Sequence, residues 1–461
     1  MNREPDSAKA LCHWLGYLPL GLELVGRFLQ RKPGWSLAKL LERLEAKRLD
    51  AKALCQGRPD MTAAHESIAA AFELSWQDLD APVRELAYRL SLFALAPIDW
   101  EWIEDWYDGT DPDDLEDWRD EGLINRSLLT RVGDNTVQLH QLIREFFRGK
   151  LEDWAEAEVL KQHYCQAMVQ MAQAIPQTPT RDQILAVIPA IPHIAEAATT
   201  WQRWVEDDSL ISPFLGIARF YEGQGAYGQA EPWYQDCLTV TRDRLDETHP
   251  AVATSLNNLA GLYDSQGRYE AAEPLYQEAL TMRKALLGES HPAVATSLNN
   301  LAYLYQSQGR YETAEPLYQE ALTMRKALLG ESHPDVATSL NNLAALYQSQ
   351  GRYSEAEPLA IQALQISVNA LGEDHPTVGV NLGNLASLRL AQGTFADVEA
   401  MFLQALSIFV NSVGTGHPYM IETINRLGNF VATVQAAGQT DILSDHPTTQ
   451  YLLQQLQREQ D

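Results

Sequence analysis

HPAVATSLNNLAGLYDSQGRYEAAEPLYQEALTMRKALLGES, residues 249–290, is followed directly by HPAVATSLNNLAYLYQSQGRYETAEPLYQEALTMRKALLGES, residues 291–332. The two units differ only at the paired positions Gly261/Tyr303, Asp264/Gln306 and Ala271/Thr313. A His-Pro pair recurs every 42 residues, at His249, His291, His333, His375 and His417. Self-similarity at a fixed period of this size predicts a solenoid, in which each unit buries its apolar face against its neighbours. A solenoid offers a long groove, and this favours a binding function over catalysis.

Each unit has the pattern of a helical hairpin. Apolar residues recur at helical spacing on both sides of Gly267, first at Leu256, Leu259, Ala260 and Tyr263, then at Ala272, Leu275, Tyr276, Ala279 and Leu280. We expect Gly288 to end the hairpin as a left-handed cap and Pro292 to begin the next helix. The repeated histidines then mark helix starts. They lie one hairpin apart, too far from each other to share a metal ion, and no metal site is predicted.

A polar row lies between the apolar stripes, on one face of each first helix. Its members in three successive units include Asn257 and Asn258, then Asn299, Asn300, Tyr303 and Gln306, then Asn341, Asn342 and Gln348. Asparagine is a mediocre helix former, so its recurrence needs a reason. One interpretation is structural: the amides bond between adjacent helices. The other is functional: amides donate and accept, so they hold the backbone of an extended peptide. Two of the three differences between the near-identical units also lie on this face.

Composition restricts the partners. The net charge is −27, with 45% hydrophobic and 21% charged residues. Because phosphate groups are bound through Lys and Arg, this balance argues against nucleic acid and against anionic membranes. The longest apolar stretch, residues 184–198, is too short to span a bilayer. Four separated cysteines and the absence of a signal peptide predict a cytoplasmic protein with free thiols.

The first 206 residues contain helices and one small hairpin. Residues 11–32 read as two helices around a turn at residues 15–20, and residues 67–95 read as two more, split near residues 80–82. We expect an acidic loop from Asp99 to Glu121. The runs 128–131 and 136–139 flank a turn at Gly133 and predict two strands, and an amphipathic helix follows from His140.

The repeats resemble the tetratricopeptide repeat (TPR) family, in the 42-residue form of kinesin light chains. The pattern LxxLAxLYxxQGRYxxAExLYxxAL stands at residues 256–280 and 298–322, and more loosely at 340–364, with degenerate units on either side. The resemblance implies a concave groove lined by each first helix. It also implies that the Asn positions contact a peptide or protein ligand.

The region before the repeats resembles the distal part of the NB-ARC module of STAND-type signalling ATPases. The family's GLPL motif, which contacts adenine, corresponds to residues 16–20, with Tyr17 inserted. Its MHD motif, whose histidine touches the diphosphate, corresponds to Leu139-His140-Gln141. The resemblance therefore gives Pro19 and His140 a vestigial place beside a nucleotide. The alternative is a structural proline and a satisfied histidine at a helix start.

No GxxxxGK[ST] sequence occurs, so we expect no phosphate-binding loop, no cofactor and no enzyme activity in this chain. The predicted fold is all-α, with a winged-helix-like N-terminal domain carrying a small β wing, followed by an α-solenoid of TPR hairpins. The predicted segments are 1–60 (GLPL region), 61–151 (winged helix), 152–206 (helical arm), 207–417 (repeats) and 418–461 (degenerate repeat and cap).

These patterns predict a protein-interaction module, the sensor or scaffold part of a STAND-like regulator. Two alternatives stay open. The chain completes an ATP or ADP site with a separate phosphate-binding polypeptide, or it is a winged-helix transcription regulator. The acidic segment and the lack of a basic row on a recognition helix argue against the second.

Overall fold

Helical hairpins dominate the computed structural model, which describes residues 5–15, 17, 19–54, 63–107, 109–176, 179–412 and 417–458. The chain divides into two compact units, Met1–Gln173 with Val187–Pro213, and Ala174–Ala186 with Phe214–Asp461. Both units consist mainly of helices, which confirms the predicted all-α class with a small sheet and a solenoid of hairpins. Within the described residues, no helix combines the length and apolar character needed to cross a membrane.

In the first part of the chain the elements are α1 (Pro5–Trp14), α2 (Pro19–Arg31), α3 (Leu37–Leu54), α4 (Ala63–Gln77), α5 (Ala81–Leu92), β1 (Ile98–Asp99), α6 (Trp100–Glu104), α7 (Pro112–Asp117), β2 (Thr130–Arg131), β3 (Thr136–Gln138), α8 (Gln141–Glu152), α9 (Ala157–Gln173), α10 (Arg181–Val187) and α11 (Ile191–Thr199). A π-helical segment, Trp118–Leu123, and a 3-10 turn, Ile124–Arg126, connect α7 to β2.

The strands confirm the predicted hairpin and add one element to it. β2 and β3 pair antiparallel, with Thr130 opposite Gln138. The unpredicted β1 pairs with the other edge of β3, with Ile98 opposite Val137, so the sheet order is β1-β3-β2. A two-residue strand is too short to show an alternating pattern in the sequence, which is why β1 was not predicted.

The prediction of an acidic loop from Asp99 to Glu121 is wrong, because short helices occupy most of this segment. Asp99 and Asp111 each cap a helix by accepting a hydrogen bond from the backbone N–H two residues later, at 3.2 and 3.1 Å. Trp100, Ile103 and Leu115 on these helices are buried. A few apolar anchors and two caps therefore order a segment whose charge alone suggested a loop.

The repeats are pairs of antiparallel helices. They are α12 (Ser212–Glu222), α13 (Tyr227–Arg244), α14 (Pro250–Ser265), α15 (Tyr269–Leu287), α16 (Pro292–Ser307), α17 (Tyr311–Leu329), α18 (Pro334–Ser349), α19 (Tyr353–Leu371), α20 (Pro376–Ala391), α21 (Val398–Ser412), α22 (Pro418–Ala436) and α23 (Pro447–Arg458). Both predicted stripes face the core, and Ala260 and Ala272 are fully buried where the two helices of one hairpin meet.

The five repeated histidines are helix caps, as predicted. In each case the imidazole Nδ1 accepts a hydrogen bond from the N–H two residues later, at 3.1–3.2 Å, and a proline follows at the first helical position. The prediction for Gly288 is only half right. Its φ of 83° is positive, but its ψ of 166° is extended and not left-handed helical. Glycine is still required, because this region of backbone conformation excludes residues with a Cβ.

Candidate functional site

The first helices of successive repeats line one face of the second unit. Neighbouring first helices, such as α18 and α20, contact each other directly, in addition to their contacts with the second helices. This side of the array carries the predicted polar row. We call this surface the first-helix face and define it by Asn258, Asn300, Tyr303, Asn341 and Gln348 together with the other Asn and Gln residues of the row.

Many asparagines on this face bond to one another across repeats. The Nδ2 group of Asn300 donates to Oδ1 of Asn257 at 2.9 Å, and that of Asn342 donates to Oδ1 of Asn299 at the same distance. In these two units the second Asn thus bonds to the first Asn of the unit before it. Such bonds are what the structural interpretation predicts, in which the amides bond between adjacent helices. Because each amide offers four hydrogen-bonding positions, these bonds do not use all of them, but Asn299 is buried, so this predicted groove residue is not open to a ligand.

The row of bonded asparagines ends differently at its two ends. At one end, Asn258 has no asparagine before it, since Leu215 occupies the matching position one period earlier. Its side-chain amide makes no hydrogen bond within the described part of the chain. At the other end, Asn341 donates to Asn381, and Asn384 instead accepts from Nη1 of Arg426 at 2.9 Å. Arg426 occupies the Asn position of the last repeat, which sequence reasoning did not recognise.

A small cleft opens beside this second end, with a volume of about 270 Å³. Asn341, Gln348, Asn384 and Arg426 line it, so two predicted groove residues face one cavity. The buried Oδ1 atom of Asn341 has no hydrogen-bond partner. A buried acceptor without a partner thus lies at a cleft that is also lined by a guanidinium, and this guanidinium is paired with Glu422.

The two near-identical units differ at the centre of the face. Tyr303 stands where its twin has Gly261, and the residue is 54% exposed. Gln306 accepts a hydrogen bond at 3.0 Å from the hydroxyl of Tyr318 on α17. Its twin, Asp264, is one methylene shorter and makes no such bond with Tyr276. Burial raises the pKa of the Asp264 carboxyl to about 6.

A separate cleft, of about 740 Å³, lies in the first unit. Pro19 at the start of α2 and His140 before α8 both line it, although they are far apart in sequence. His140 uses Nδ1 to cap α8, accepting from the N–H of Leu142 at 3.3 Å, and the cap does not use its Nε2 nitrogen. Arg131 also lines the cleft and is paired with Asp120 at 2.9 Å. The inserted Tyr17 is exposed with a φ of 56°. Gly16 and Leu18 of the predicted motif lie outside the described residues.

The remaining candidates are structural. Trp100 is buried, and Trp102 and Trp106 pack on Phe93. Among the described cysteines, Cys12, Cys165 and Cys237 form no disulfide bond, and Cys55 lies outside the described residues. In the described ranges, no three His, Cys, Asp or Glu side chains come together as a metal site.

The family profile described as tetratricopeptide repeat matches residues 209–285, 266–327, 293–367 and 335–411. Residues 209–411 are tetratricopeptide repeats. The chain matches none of the curated proteins. The TPR assignment rests on this match together with the hairpin geometry and the 42-residue period.

Several solved structures are similar to parts of the chain. BtubC from P. vanneervenii is 28% identical, with 51% of this chain and 93% of that chain covered and a TM-score of 0.41. A STAND protein with a tetratricopeptide repeat sensor, PH0952 from Pyrococcus horikoshii, is 13% identical over 90% of this chain and 69% of that chain, with a TM-score of 0.41. The apo quorum sensor NprR from B. thuringiensis is 10% identical over 69% of this chain and 92% of that chain, with a TM-score of 0.43.

Proposed function

We propose that the TPR repeats bind a peptide, or an extended segment of a partner protein, along the first-helix face. In this proposal the chain is the sensor or scaffold part of a STAND-like signalling regulator. The observation that carries it is the row of amide side chains with unused hydrogen-bonding positions. An extended peptide has one N–H and one C=O per residue to satisfy, and amides serve both without requiring a particular sequence.

Selectivity in this proposal comes from the few positions where the face is not a uniform amide row. Tyr303 offers an exposed aromatic ring, and aromatic side chains contribute strongly at protein interfaces. Gln348, Asn384 and the Glu422-paired Arg426 line a cleft at one end of the row and offer polar contacts there. A ligand that spans both features would be held in one register.

The repeats supply a matched test, because Asn258 and Asn300 occupy the same position in near-identical units. Only Asn300 donates to a neighbouring repeat. Peptides selected from a display library on the immobilised chain would be measured by fluorescence anisotropy. We expect Asn258→Ala and Tyr303→Ala each to weaken binding about tenfold, with an unchanged melting temperature. Asn300→Ala should lower both binding and melting temperature.

Thr323→Ala is the control, since this exposed threonine lies on the second helix α17 and bonds only to its own helix. It should change neither quantity. Peptides whose affinity is unaffected by Asn258→Ala and Tyr303→Ala would place the binding surface elsewhere. Failure to select any peptide would also argue against the proposal.

The shared cleft of Pro19 and His140 favours a second candidate function. We propose that this cleft contributes adenine and diphosphate contacts to an ATP or ADP site that a separate phosphate-binding polypeptide completes. The support is that two residues singled out by the NB-ARC resemblance, distant in sequence, line one cavity. The phosphate-binding loop that such a site needs is not in this chain.

ADP binding, measured by equilibrium dialysis, tests this candidate. His140→Asn is the informative variant, because asparagine also caps helices while the imidazole is lost. We expect weak binding of ADP to the chain alone and weaker binding to His140→Asn, with an equal melting temperature. Equal affinities in the two proteins would contradict a role of His140 at a nucleotide.

A further inference from the structure

A third cleft, of about 500 Å³, lies along α2 in the first unit. Arg27 and Arg31, one helical turn apart on α2, line it together with Arg126 of the turn that follows the π-helical segment. We call this the arginine cleft. Arg27 lines both this cleft and the one that holds Pro19 and His140, so the two adjoin.

The three arginines lack an ion-pair partner in the part of the chain that the structure describes. None of their guanidinium groups makes a salt bridge with any residue that the structure describes, although the chain carries a net charge of −27. Nearby cations behave differently, because Arg119 and Arg131 both pair with Asp120. The cleft therefore holds three clustered arginines without ion-pair partners among the described residues, although Asp80, Asp117 and Glu121 also line it.

Two of the guanidinium groups also have buried donors without acceptors. The Nη2 atom of Arg31 and the Nε atom of Arg126 are buried and make no hydrogen bond. A buried N–H without a partner is costly, and more so when the group is charged. Nη1 of Arg126 donates to the carbonyl oxygens of Glu121 and Gly122, at 2.6 and 2.8 Å, which fixes the orientation of this guanidinium.

The two groups are close enough to repel each other. Burial lowers the pKa of Arg31, and the positive charge of Arg126 lowers it further. The carboxylate of Asp78 acts in the opposite direction but is itself paired with Lys32 at 3.3 Å. An anion between the two guanidinium groups would relieve the repulsion and accept from both unpartnered N–H groups.

Carboxylates limit the size of this anion. Asp80, Asp117 and Glu121 also line the cleft, and all three are exposed. An extended polyanion would meet their charges, whereas a compact group on the arginines would not. We propose that the arginine cleft binds a small oxyanion of the phosphate class, which arginine recognises through its forked donors.

Inorganic phosphate is the probe, titrated calorimetrically into the full chain at low ionic strength in phosphate-free buffer. We expect saturable binding that becomes about tenfold weaker, or weaker still, in Arg31→Gln. The matched control is Arg242→Gln, an arginine of the second unit that lines neither cleft and already has an ion-pair partner in Glu278 at 2.6 Å. It should bind phosphate as the unmodified chain does.

Thermal stability gives a second readout. If the role of Arg31 were purely structural, Arg31→Gln would lower the melting temperature. Without phosphate, Arg31→Gln should melt at the same temperature as the unmodified chain or above it, since a repelling charge is removed. Added phosphate should raise the melting temperature of the unmodified chain but not of the variant. The proposal fails if phosphate does not saturate the unmodified chain, or if Arg31→Gln binds it equally well. ADP binding that depends on His140 while phosphate binding does not would separate this site from the proposed nucleotide cleft.

Discussion

At the scale of the residue, Asp264 makes one of two near-identical repeats sensitive to pH. Burial raises the pKa of its carboxyl to about 6 from the ordinary value of 3.8, and no side-chain hydrogen bond or ion pair to its carboxylate is found among the described residues. Below about pH 4 the carboxyl is protonated in both the folded and the unfolded chain. Between about pH 4 and 6 only the folded chain keeps the proton. The free energy of unfolding therefore falls as the pH rises through this range, because the folded chain must then bury a charged carboxylate. Asp264→Gln, which copies the twin residue Gln306, should therefore melt higher than the unmodified chain above pH 6. The difference should shrink toward pH 4 in melting curves recorded across this range. A difference that does not change with pH would mean that the carboxyl is not buried in this way. The pKa of Asp264 could not be predicted from the sequence, because it depends on how deeply the folded repeats bury the carboxyl. The same holds for the Asn pairs, whose partners lie about one period away in the chain and meet only once the repeats have stacked.

At the scale of the element, one set of contacts fastens each repeat to the next. The hydroxyl of Tyr305 donates to Glu273 at 3.0 Å and accepts from Gln277 at 3.1 Å, and Arg310 pairs with the other oxygen of Glu273 at 2.9 Å while lying over the Tyr305 ring. Tyr347, Glu315, Gln319 and Arg352 repeat this arrangement one unit later. We call it the tyrosine latch. Tyr305→Phe removes both hydroxyl bonds without changing the ring, so we expect the free energy of unfolding to fall by about 1 kcal/mol. Urea denaturation measures this, and Tyr347→Phe should give a similar loss because its hydroxyl has the matching two partners, Glu315 and Gln319. A clear loss at one site and none at the other would show that the latches are not equivalent. Helix positions and buried faces could be predicted from the sequence here, since the apolar period and the Gly and Pro residues mark them. The latch partners could not, because they are charged or polar residues on different helices.

At the scale of the whole molecule, the structure consists of two compact units, and the second contains the repeats. Because each hairpin contacts mainly its neighbours, we expect the repeats to fold without the first 206 residues. A fragment of residues 207–461 should give a helical circular dichroism spectrum and a cooperative thermal transition. A disordered spectrum would show that preceding residues are needed as a cap. The segment Ala174–Ala186 belongs to the second unit although it precedes the repeats in sequence. A chain beginning at residue 174 is therefore the appropriate comparison, and we expect it to melt higher. Periodicity predicted the array, but it gave no sign of this segment, which has no repeat pattern of its own.

The near identity of residues 249–290 and 291–332 also affects how the gene can change in length. DNA that encodes the same unit twice in tandem can misalign during replication or recombination, and a whole unit is then lost or gained. The latch tolerates this at the protein level: Arg352 uses Glu315 as Arg310 uses Glu273, so either glutamate could serve the arginine of the following unit. Loss of one period would join two surfaces that already fit. The array is thus able to change its length in single steps, and each step would lengthen or shorten the row of amides without requiring any new interface to evolve.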